Sequence, residues 1–478
     1  MSEPAAPRGG LARPALLLLS GNLSGYLLLF ARNLLVARMI SVPDYGIAST
    51  FLLTMSVVEM MSALGVQQQL ILRKDGDDAR LQAALQGVQA LRAVINAGVL
   101  LLMAGPIAAF LGVPEVAWAY RLLALVPLMN GFQHLDMTRR ARRMEFLPGI
   151  ISNVLPVALS LACVWPLAVL TEDWRVLLFA ILIQVAAALG GTHLLASRPF
   201  RLRLDRVVML ESLRFGWPLM LDGLVLFAVF NGEKLIVGRE LGMTALALFS
   251  MGFTLTLTPT LMLGNTATNF FLPQLSAAID TPRFAPLAAA TVQLHFLFGG
   301  LMVVAVPLLG PPFVHLVLGP KYADLVPLLG WLAILQGLRV LKGGSTTVSL
   351  ARAQTGNALV SNLIRIALLP LAWVAAARGW GMEAVVQLGI LGELGGFAVA
   401  LWLAQRRLGL PLRPLVPPLL LTAATFAVAL LQALHHGRTD ALGAVLLGAV
   451  AVLFALSVLA MRELRAYLAQ RTVIHHGA

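Results

Sequence analysis

Nine charged side chains fall inside long apolar runs of this sequence. They are Arg32, Glu59, Arg92, Arg121, Asp222, Glu233, Lys234, Arg365 and Glu393. A charge at the centre of a membrane helix costs roughly 2.5–3.5 kcal/mol on insertion scales. Nine such charges facing lipid would cost on the order of 25 kcal/mol, which exceeds the typical net stability of about 5–15 kcal/mol. Most of these side chains must therefore face a bundle interior or a wet cavity.

Polar residues recur at helical spacing in these runs, which predicts stripes that line a cavity. Asn22 and Asn33 are eleven residues apart, as are Asp222 and Glu233, and eleven residues make three helical turns. Two further runs place an arginine three residues after a carboxamide. The substrate-binding side chains predicted for the cavity are Arg32, Arg92, Arg365, Asn22, Asn33 and Asn96.

The arginines indicate what such a cavity would bind. A guanidinium can bind phosphate oxygens through two parallel hydrogen bonds. Arg32, Arg92 and Arg365 therefore favour an anionic substrate, such as a lipid-linked pyrophosphate. The structural alternative is that intramembrane Arg and Glu residues pair and lock helices together, and Arg121 can also extend to the outer interface.

The acidic residues predict a second role, in ion coupling or gating. The residues assigned to it are Asp222, Glu233, Glu59 and Glu393. A transporter that alternates between two states needs an element whose charge biases them. Neighbouring helix residues point about 100° apart, so Glu233 and Lys234 are not both expected to contact substrate. The helix-locking alternative applies most to Glu59 and Glu393.

The composition predicts an all-α, polytopic membrane protein. Of 478 residues, 59% are hydrophobic and 12% are charged, whereas soluble domains carry roughly 25% charged residues. Apolar runs of about 20 residues must form helices in a bilayer. About fourteen spans are predicted, at 15–37, 47–72, 84–110, 116–135, 148–170, 176–196, 212–237, 243–263, 291–311, 325–345, 358–377, 384–404, 415–434 and 441–461.

Loop charge predicts the orientation. Most of the 35 basic residues fall in alternate loops on the side of the N-terminus, so both termini are expected in the cytoplasm. Arg339, Lys342 and Arg352 are assigned to one such loop. The formal charge of +13 is explained by these loops, and no nucleic acid is expected as a partner. Arg8 and Arg13 precede an apolar run as in a signal peptide, but its length favours a first membrane helix.

An internal echo predicts the domain organisation. The segment VARMIS at 36–41 recurs as VGRELG at 237–242, an offset of about 200 residues. That offset equals six spans, so two six-helix lobes related by a pseudo-twofold axis along the membrane normal are predicted. The expected domains are residues 1–200, 201–411 and 412–478, the last holding two extra helices and a tail. Within the second lobe, the prolines of 263–290 are expected to break helix continuity at Pro273, Pro282 and Pro286.

Motifs for catalysis, metals and cofactors are absent from the sequence. There is no GxxxxGK[ST], no HExxH and no CxxC pair, and the single cysteine, Cys163, lies in an apolar run. The predicted outer loops are too short to form a folded catalytic domain. No enzyme activity, cofactor or metal is therefore expected.

Two short motifs resemble those of Wzx-like oligosaccharide flippases. ARMISVPDYG at 37–46 is similar to the signature that ends their first helix, although Ser41 and Val42 stand where Gly and Pro are usual. NGEKLIVG at 231–238 is similar to their seventh-helix pattern, with Glu233 in place of Asp. The matching residues are Arg38, Asp44, Tyr45, Gly46, Asn231, Lys234 and Gly238.

The resemblance places the chain with the multidrug/oligosaccharidyl-lipid/polysaccharide exporters. It implies two six-helix lobes around a cavity, alternating access without ATP, and a polyprenyl-diphosphate-linked glycan turned from the inner to the outer leaflet of a bacterial cytoplasmic membrane. The expected partners are that glycan, membrane lipids and a coupling proton or sodium ion. We expect a monomer that can join polymerase or export proteins.

Three rival functions stay open at this point. A multidrug exporter of the same superfamily would recognise cations through carboxylates, whereas a basic cavity would favour a glycan flippase. A lipid II flippase shares the predicted fold. A membrane polymerase or ligase is the remote alternative, since such enzymes carry a large outer loop.

Overall fold

The computed structural model describes residues 12–435 and 440–476, and it contains helices but no β-strand in that part of the chain. Arg8, which precedes the predicted first membrane helix, lies outside those residues. The chain divides into two compact units, Met1–Phe227 and Ala228–Ala478. The division falls within one long helix, later than the predicted boundary after residue 200.

In residues 12–227, unit 1 contains nine α-helices and the beginning of a tenth. They are α1 (Ala12–Met39), α2 (Val42–Met61), α3 (Val66–Leu72), α4 (Ala79–Phe110), α5 (Ala117–Leu123), α6 (Leu125–Gly131), α7 (Asp136–Arg142), α8 (Leu147–Thr171), α9 (Arg175–Leu194) and the first part of α10 (Arg206–Ala277). Within unit 1, α8 packs against both α1 and α9, and α4 packs against α5 and α6.

In its described residues, 228–435 and 440–476, unit 2 contains the rest of α10 and eight further α-helices. They are α11 (Phe284–Phe313), α12 (Val326–Ala351), α13 (Gly356–Ile366), α14 (Leu369–Ala377), α15 (Gly381–Leu408), α16 (Val416–Leu434), α17 (Ala441–Ala460) and α18 (Arg462–His476). Helix α12 packs against α11, α15 and α16, while α13 and α14 pack against α15. The unit is therefore organised around α12.

The polytopic all-α class is confirmed. Ten helices in the described residues are long and apolar enough to cross a membrane, and α10 counts once among them although it covers two predicted spans. Helix α1 covers the first prediction, α2 covers the first part of the second, and the short pair α5 and α6 covers the fourth. The two spans on α10 meet at Gly242, whose φ of 84° and ψ of 179° interrupt the helix.

The turn between α1 and α2 explains one of the sequence motifs. Ser41 is the N-cap of α2, and its hydroxyl accepts a hydrogen bond from the Asp44 backbone N–H at 3.2 Å. The same hydroxyl contacts the Asp44 carboxylate, and Pro43 lies in the first turn. Proline and an acidic residue are both favourable at a helix start, so this motif encodes a capped reversal.

Two predicted boundaries were wrong. Pro273 and Pro286 do not break a helix, because α10 continues to Ala277 and Pro286 lies inside α11, which begins at Phe284. Only Pro282 lies between the two helices. Proline is tolerated within α10 because neighbouring groups in a helix bundle can satisfy the freed carbonyl. The predicted span 47–72 is also interrupted, since α2 ends at Met61 and α3 begins only after Gly65, whose φ is 61°. Gly65 is the N-cap of α3, and glycine adopts such a left-handed backbone conformation without steric cost.

Within unit 1, the start of α10 packs closely against the interruption between α2 and α3. A Cβ atom added at Gly223 would lie 1.9 Å from the Met60 carbonyl oxygen, and one added at Gly216 would lie 2.6 Å from the Leu64 Cα. Glycine is therefore required at both positions. This contact explains why the start of α10 clusters with unit 1 and brings Asp222 beside the end of α2.

Candidate functional site

A cavity of about 790 Å³ lies within unit 1, among helices that include membrane spans. Its lining combines apolar side chains, which are usual in protein pockets, with ten charged or carboxamide side chains. The charged lining residues are Glu59, Arg92, Glu145 and Asp222, and the carboxamides are Gln67, Gln68, Gln89, Asn130, Gln133 and Asn153.

Besides α6 and the loops on either side of α7, five helices bring these side chains together. The end of α2 supplies Glu59, α4 supplies Arg92, α8 supplies Asn153 and the start of α10 supplies Asp222. The fifth element, α3, carries Gln67 and Gln68 in its first turn, directly after the reversal at Gly65. The interruption of the predicted second span is therefore what places a short polar helix against the cavity.

Some of the carboxamides already have partners. The Gln89 amide donates to the carbonyls of Asn130 and Gly131 at 3.0 and 3.2 Å, which ties α4 to α6. Gln133 donates to the Asn130 side chain at 2.9 Å. These bonds hold the cavity wall, since buried polar groups need partners.

Other polar groups of the lining remain available. The side chains of Gln67, Gln68, Asn153 and Asp222 are exposed, and within residues 12–227 they make no hydrogen bond or ion pair. Each carboxamide presents a carbonyl acceptor and an NH₂ donor. The cavity thus offers hydrogen-bonding capacity to a ligand.

The charged groups are mostly paired. Glu145 accepts a hydrogen bond from Arg140 at 2.8 Å, although Arg140 does not line the cavity. The guanidinium of Arg92 donates to the Ser62 carbonyl at 3.0 Å and is electrostatically attracted to Glu59. With Glu145 offset by Arg140 and Glu59 offset by Arg92, Asp222 gives the cavity a net charge of about −1. The lining is therefore not basic, in contrast to the expected sign.

Two of the arginines predicted for the cavity have internal partners. Arg32 is only 3% exposed and donates from Nη1 to the Ser160 hydroxyl at 3.3 Å and to the Gln184 side chain. Those partners lie on α8 and α9, so Arg32 joins three helices. Arg365 is 4% exposed and belongs to unit 2.

The predicted asparagines are distributed differently. Asn96 donates to the Ser62 hydroxyl at 2.8 Å and lies near the cavity without lining it. Asn33 is half-buried, and its Oδ1 has no hydrogen-bond partner in the described part of the chain. Asn22 lies on α1, but its side chain is outside the described residues.

Unit 2 contains a buried network of five charged side chains. Its members are Glu233 on α10, Arg339 and Lys342 on α12, Arg365 on α13 and Glu393 on α15. Each of the five is at most 9% exposed. The two carboxylates and three cations leave a net charge of +1, so most of the charge is compensated where burial would otherwise be costly.

Every carboxylate oxygen in the network has a cationic partner. Arg339 donates from Nε to Glu393 Oε1 at 2.7 Å, and Lys342 donates to Glu393 Oε2 at 3.0 Å. Arg365 donates to Glu233 Oε1 at 3.1 Å, and its Nε lies 2.7 Å from Glu393 Oε1. Arg339 lies 3.5 Å from Glu233 Oε2. The network therefore links four helices.

The space beside this network is small. A cavity of about 10 Å³ touches Glu233 and Arg365, which is close to the least volume that holds one water molecule. Lys234 points away from the carboxylates, with its Nζ 4.5 Å from the centre of the Phe253 ring. Glu233 and Lys234 thus have different surroundings, and the network has no room for a glycan.

A third polar cluster ties together the loops of unit 1 outside the spans. Asp136 accepts hydrogen bonds from Arg139 Nε at 2.6 Å and from both the backbone and hydroxyl of Ser197 at 2.8 Å. Burial works against ionisation, but the bonds from Arg139 and Ser197 outweigh it and lower the pKa of Asp136 to about 2. Arg139 also lies 3.7 Å from Asp77.

Sequence reasoning missed two members of the network and the free carboxamides. The sequence assigns Arg339 and Lys342 to a cytoplasmic loop, but both are buried on α12, where Glu393 forms an ion pair with each of them. The spacing of Gln336, Arg339 and Lys342 at intervals of three could have revealed one polar helix face. Gln67 and Gln68 were overlooked because they fell within a predicted span.

Comparisons with known proteins agree with this architecture. A family profile described as "Polysaccharide biosynthesis protein" matches residues 35–327, more than half of the chain. The succinoglycan biosynthesis transport protein ExoT of Rhizobium meliloti is 22% identical over 64% of this chain and 62% of its own length. The amylovoran biosynthesis protein AmsL of Erwinia amylovora is 22% identical over 66% of this chain and 81% of its own.

Solved structures show the same fold at low sequence identity. The lipid II flippase MurJ in an inward closed conformation aligns over 96% of this chain and all of its own, with a TM-score of 0.70 and 12% identity. An inward-facing multidrug resistance MATE family transporter of the MOP superfamily aligns over 80% of this chain and 94% of its own, with a TM-score of 0.67 and 16% identity.

Proposed function

Because the chain belongs to the polysaccharide biosynthesis protein family, we propose that it is a flippase for a polyprenyl-diphosphate-linked oligosaccharide. It would move this lipid from the inner to the outer leaflet of a bacterial cytoplasmic membrane, with both termini in the cytoplasm. The observation that carries the proposal is the polar cavity of about 790 Å³ in a unit built of membrane-spanning helices. Polar groups inside a bilayer are costly and commonly mark a substrate path.

The proposed mechanism is alternating access without ATP and without chemical change of the glycan. Arg92 is the proposed contact for the diphosphate, because it is the one cation that lines the cavity in the described residues and a guanidinium binds phosphate oxygens. For Arg32 and Arg365, whose bonds are internal, we propose positioning roles. For Asn22, Asn33 and Asn96, we propose contacts with the substrate along its path.

We propose that the carboxylates divide between coupling and gating. Glu59 and Asp222 line the cavity, where a proton or sodium ion could reach them. Glu233 and Glu393 belong to the closed network, which is suited to hold one conformation and to rearrange in another. The protein would act as a monomer and deliver its product to polymerase or export proteins.

The test is translocation by purified protein in vesicles. A fluorescent polyprenyl-diphosphate oligosaccharide is placed in both leaflets, and a membrane-impermeant reductant then destroys the label in the outer leaflet. Flipping raises the destroyed fraction from about half in protein-free vesicles toward all of the label, and chromatography should show an unchanged glycan. A destroyed fraction equal to that of protein-free vesicles contradicts the proposal, and a lengthened or transferred glycan would identify an enzyme.

A second candidate is export of organic cations. The observation that favours it is the cavity charge, since three of the four charged lining residues are carboxylates. This function predicts that the protein lowers ethidium accumulation in cells that lack their own exporters, and that Asp222→Asn abolishes the effect. An unchanged ethidium level together with glycan flipping would leave the first proposal alone.

A further inference from the structure

We propose that the cavity of unit 1 is a sugar subsite that selects an uncharged glycan over an acidic one. This inference rests on the proposed function and adds the class of glycan carried. The residues that carry it are Gln67, Gln68, Asn153 and Asp222, with Phe146 beside them in the cavity wall.

Hydrogen bonding points to a sugar. A sugar hydroxyl donates one hydrogen bond and accepts others, which matches the paired donor and acceptor of a carboxamide. Gln67, Gln68 and Asn153 come from α3 and α8 and make no hydrogen bond within residues 12–227. An apolar ligand would remove these groups from water without replacing their bonds, which opposes binding. A polyhydroxylated ligand replaces them.

The size and lining of the cavity suit the same ligand. Its volume of about 790 Å³ lies within the range of about 300–1,000 Å³ that is usual for sites that enclose small molecules. A short oligosaccharide fits this space. Phe146 adds an apolar surface to the lining, and the carbon-bound hydrogens of a sugar ring give it one apolar face to pack there.

Charge sets the preference between neutral and acidic sugars. Glu145 accepts a hydrogen bond from Arg140 and Glu59 is electrostatically attracted to Arg92, so Asp222 is the charge of the described lining that no cation offsets. A sugar carboxylate in the cavity would meet that negative charge in surroundings less screened than bulk water. The diphosphate of the carrier must then lie at Arg92 or beyond the sugar-binding residues, so the two ends of the substrate are separated by charge.

The experiment compares three lipids that differ only in the head group. Purified full-length protein in lipid nanodiscs is titrated with polyprenyl diphosphate alone, with the same lipid carrying a trisaccharide of neutral hexoses, and with a trisaccharide in which one hexose is a hexuronic acid. We expect the neutral trisaccharide lipid to bind at least tenfold more tightly than the uronic acid lipid.

Variants connect this preference to the cavity. Gln68→Ala and Asn153→Ala should each weaken binding of the neutral trisaccharide lipid about fivefold, the effect of one ordinary hydrogen bond, and leave polyprenyl diphosphate binding unchanged. Asp222→Asn should tighten binding of the uronic acid lipid and shrink the discrimination severalfold. The matched control is Gln405→Ala on α15, an exposed carboxamide outside the cavity, and it should change none of the three affinities.

The outcomes separate this inference from the proposed function. If all three lipids bind equally, or if Gln68→Ala weakens polyprenyl diphosphate as much as the glycan lipids, the sugar subsite is overturned while the flippase proposal stands. Tighter binding of the uronic acid lipid overturns the charge preference. If none of the three lipids binds to protein whose thermal unfolding shows that it is folded, both proposals fail.

Discussion

The cavity of unit 1 and the charged network of unit 2 are both polar, but their groups are used differently. In the cavity, Gln68 and Asp222 face open space and make no hydrogen bond or ion pair within residues 12–227. In the network, both oxygens of Glu233 and both oxygens of Glu393 contact a cation of the chain itself. One region therefore retains the capacity to bind a ligand, whereas the other has used that capacity to join helices.

This difference shows that a charge buried in a membrane helix does not identify a binding site by itself. The network contains three of the charges that the sequence assigns to substrate binding or ion coupling, Glu233, Arg365 and Glu393. In the cavity, the groups that remain able to bind a ligand are mainly uncharged carboxamides. Burial and the partners already present decide between the two roles, because an unpaired buried charge is far more costly than a paired one.

The largest expected effect comes from removing an acid from the network. Glu393→Ala leaves Arg339, Lys342 and Arg365 near one another with only Glu233 for compensation. We expect a loss of about 3–5 kcal/mol in unfolding free energy, the usual result of breaking a buried ion pair. Thermal unfolding of the purified protein measures it, and the exposed Glu115→Ala serves as a control. A loss below about 1 kcal/mol would mean that the network resembles a surface ion pair.

Acid should weaken the loop cluster around Asp136. The folded-state pKa of about 2 lies below the usual unfolded value of about 3.9. A lowered pKa stabilises the fold above the unfolded value, so the contribution is complete at neutral pH and is lost as pH falls from about 4 to about 2. Linkage gives roughly 2–3 kcal/mol for such a shift.

The measurement is the melting temperature as a function of pH. Asp136→Asn should start lower than wild type at pH 7 and lose less between pH 4 and pH 2. The exposed Asp280→Asn should follow the wild-type curve. If Asp136→Asn kept the full acid sensitivity of wild type, other carboxylates would be responsible.

A smaller effect is expected when the network is crowded without changing its charge. A Cβ atom added at Gly389 would lie 2.8 Å from Glu233 Oε1 and 3.4 Å from Leu335 Cδ1. Gly389→Ala should therefore displace Glu233 and destabilise the protein by about 1–3 kcal/mol, as overpacking of a core does. Gly448→Ala on α17, where nothing lies within 4 Å of the added atom, should be neutral or slightly stabilising. Equal melting temperatures for the two variants would contradict this packing.

The smallest effect on stability is expected in the cavity. Gln68→Ala and Asn153→Ala remove exposed groups that make no hydrogen bond within residues 12–227, so each should change the unfolding free energy by less than about 0.5 kcal/mol. The same thermal unfolding measurement applies. A loss comparable to that of Gly389→Ala would show that these carboxamides support the fold, and the contrast between the two regions would disappear.

Much of the fold could be predicted because a bilayer leaves an apolar segment of 20 residues few alternatives to a helix. The turn at Ser41 and Asp44 was visible in the motif that it caps. The interruption after Met61 was missed because the predicted span was judged by its overall apolar character, although Ser62, Gly65 and the glutamines at 67–69 lie inside it. The prediction at Pro273 was wrong because the free-energy cost of a proline inside a helix depends on the groups packed around that helix.

The site was harder to predict than the fold. Arg339 and Lys342 lie near a predicted span end, where loop charge and buried charge look alike in sequence. Their burial depends on Glu393, which is more than fifty residues away along the chain. Charge also drew attention to Arg32 and Arg365, while Gln67 and Asn153 carry none. Sequence spacing reveals which residues share a helix face, but it does not reveal which groups already have partners.

The excess of one positive charge in the network has an electrical consequence. Three cations and two carboxylates place a fixed charge of about +1 among the membrane-spanning helices of unit 2. The membrane potential exerts a force on that charge, worth about 2.3 kcal/mol per 100 mV for passage across the whole field. If these helices move along the field during transport, the transport rate would therefore depend on voltage. This would hold even for an uncharged cargo.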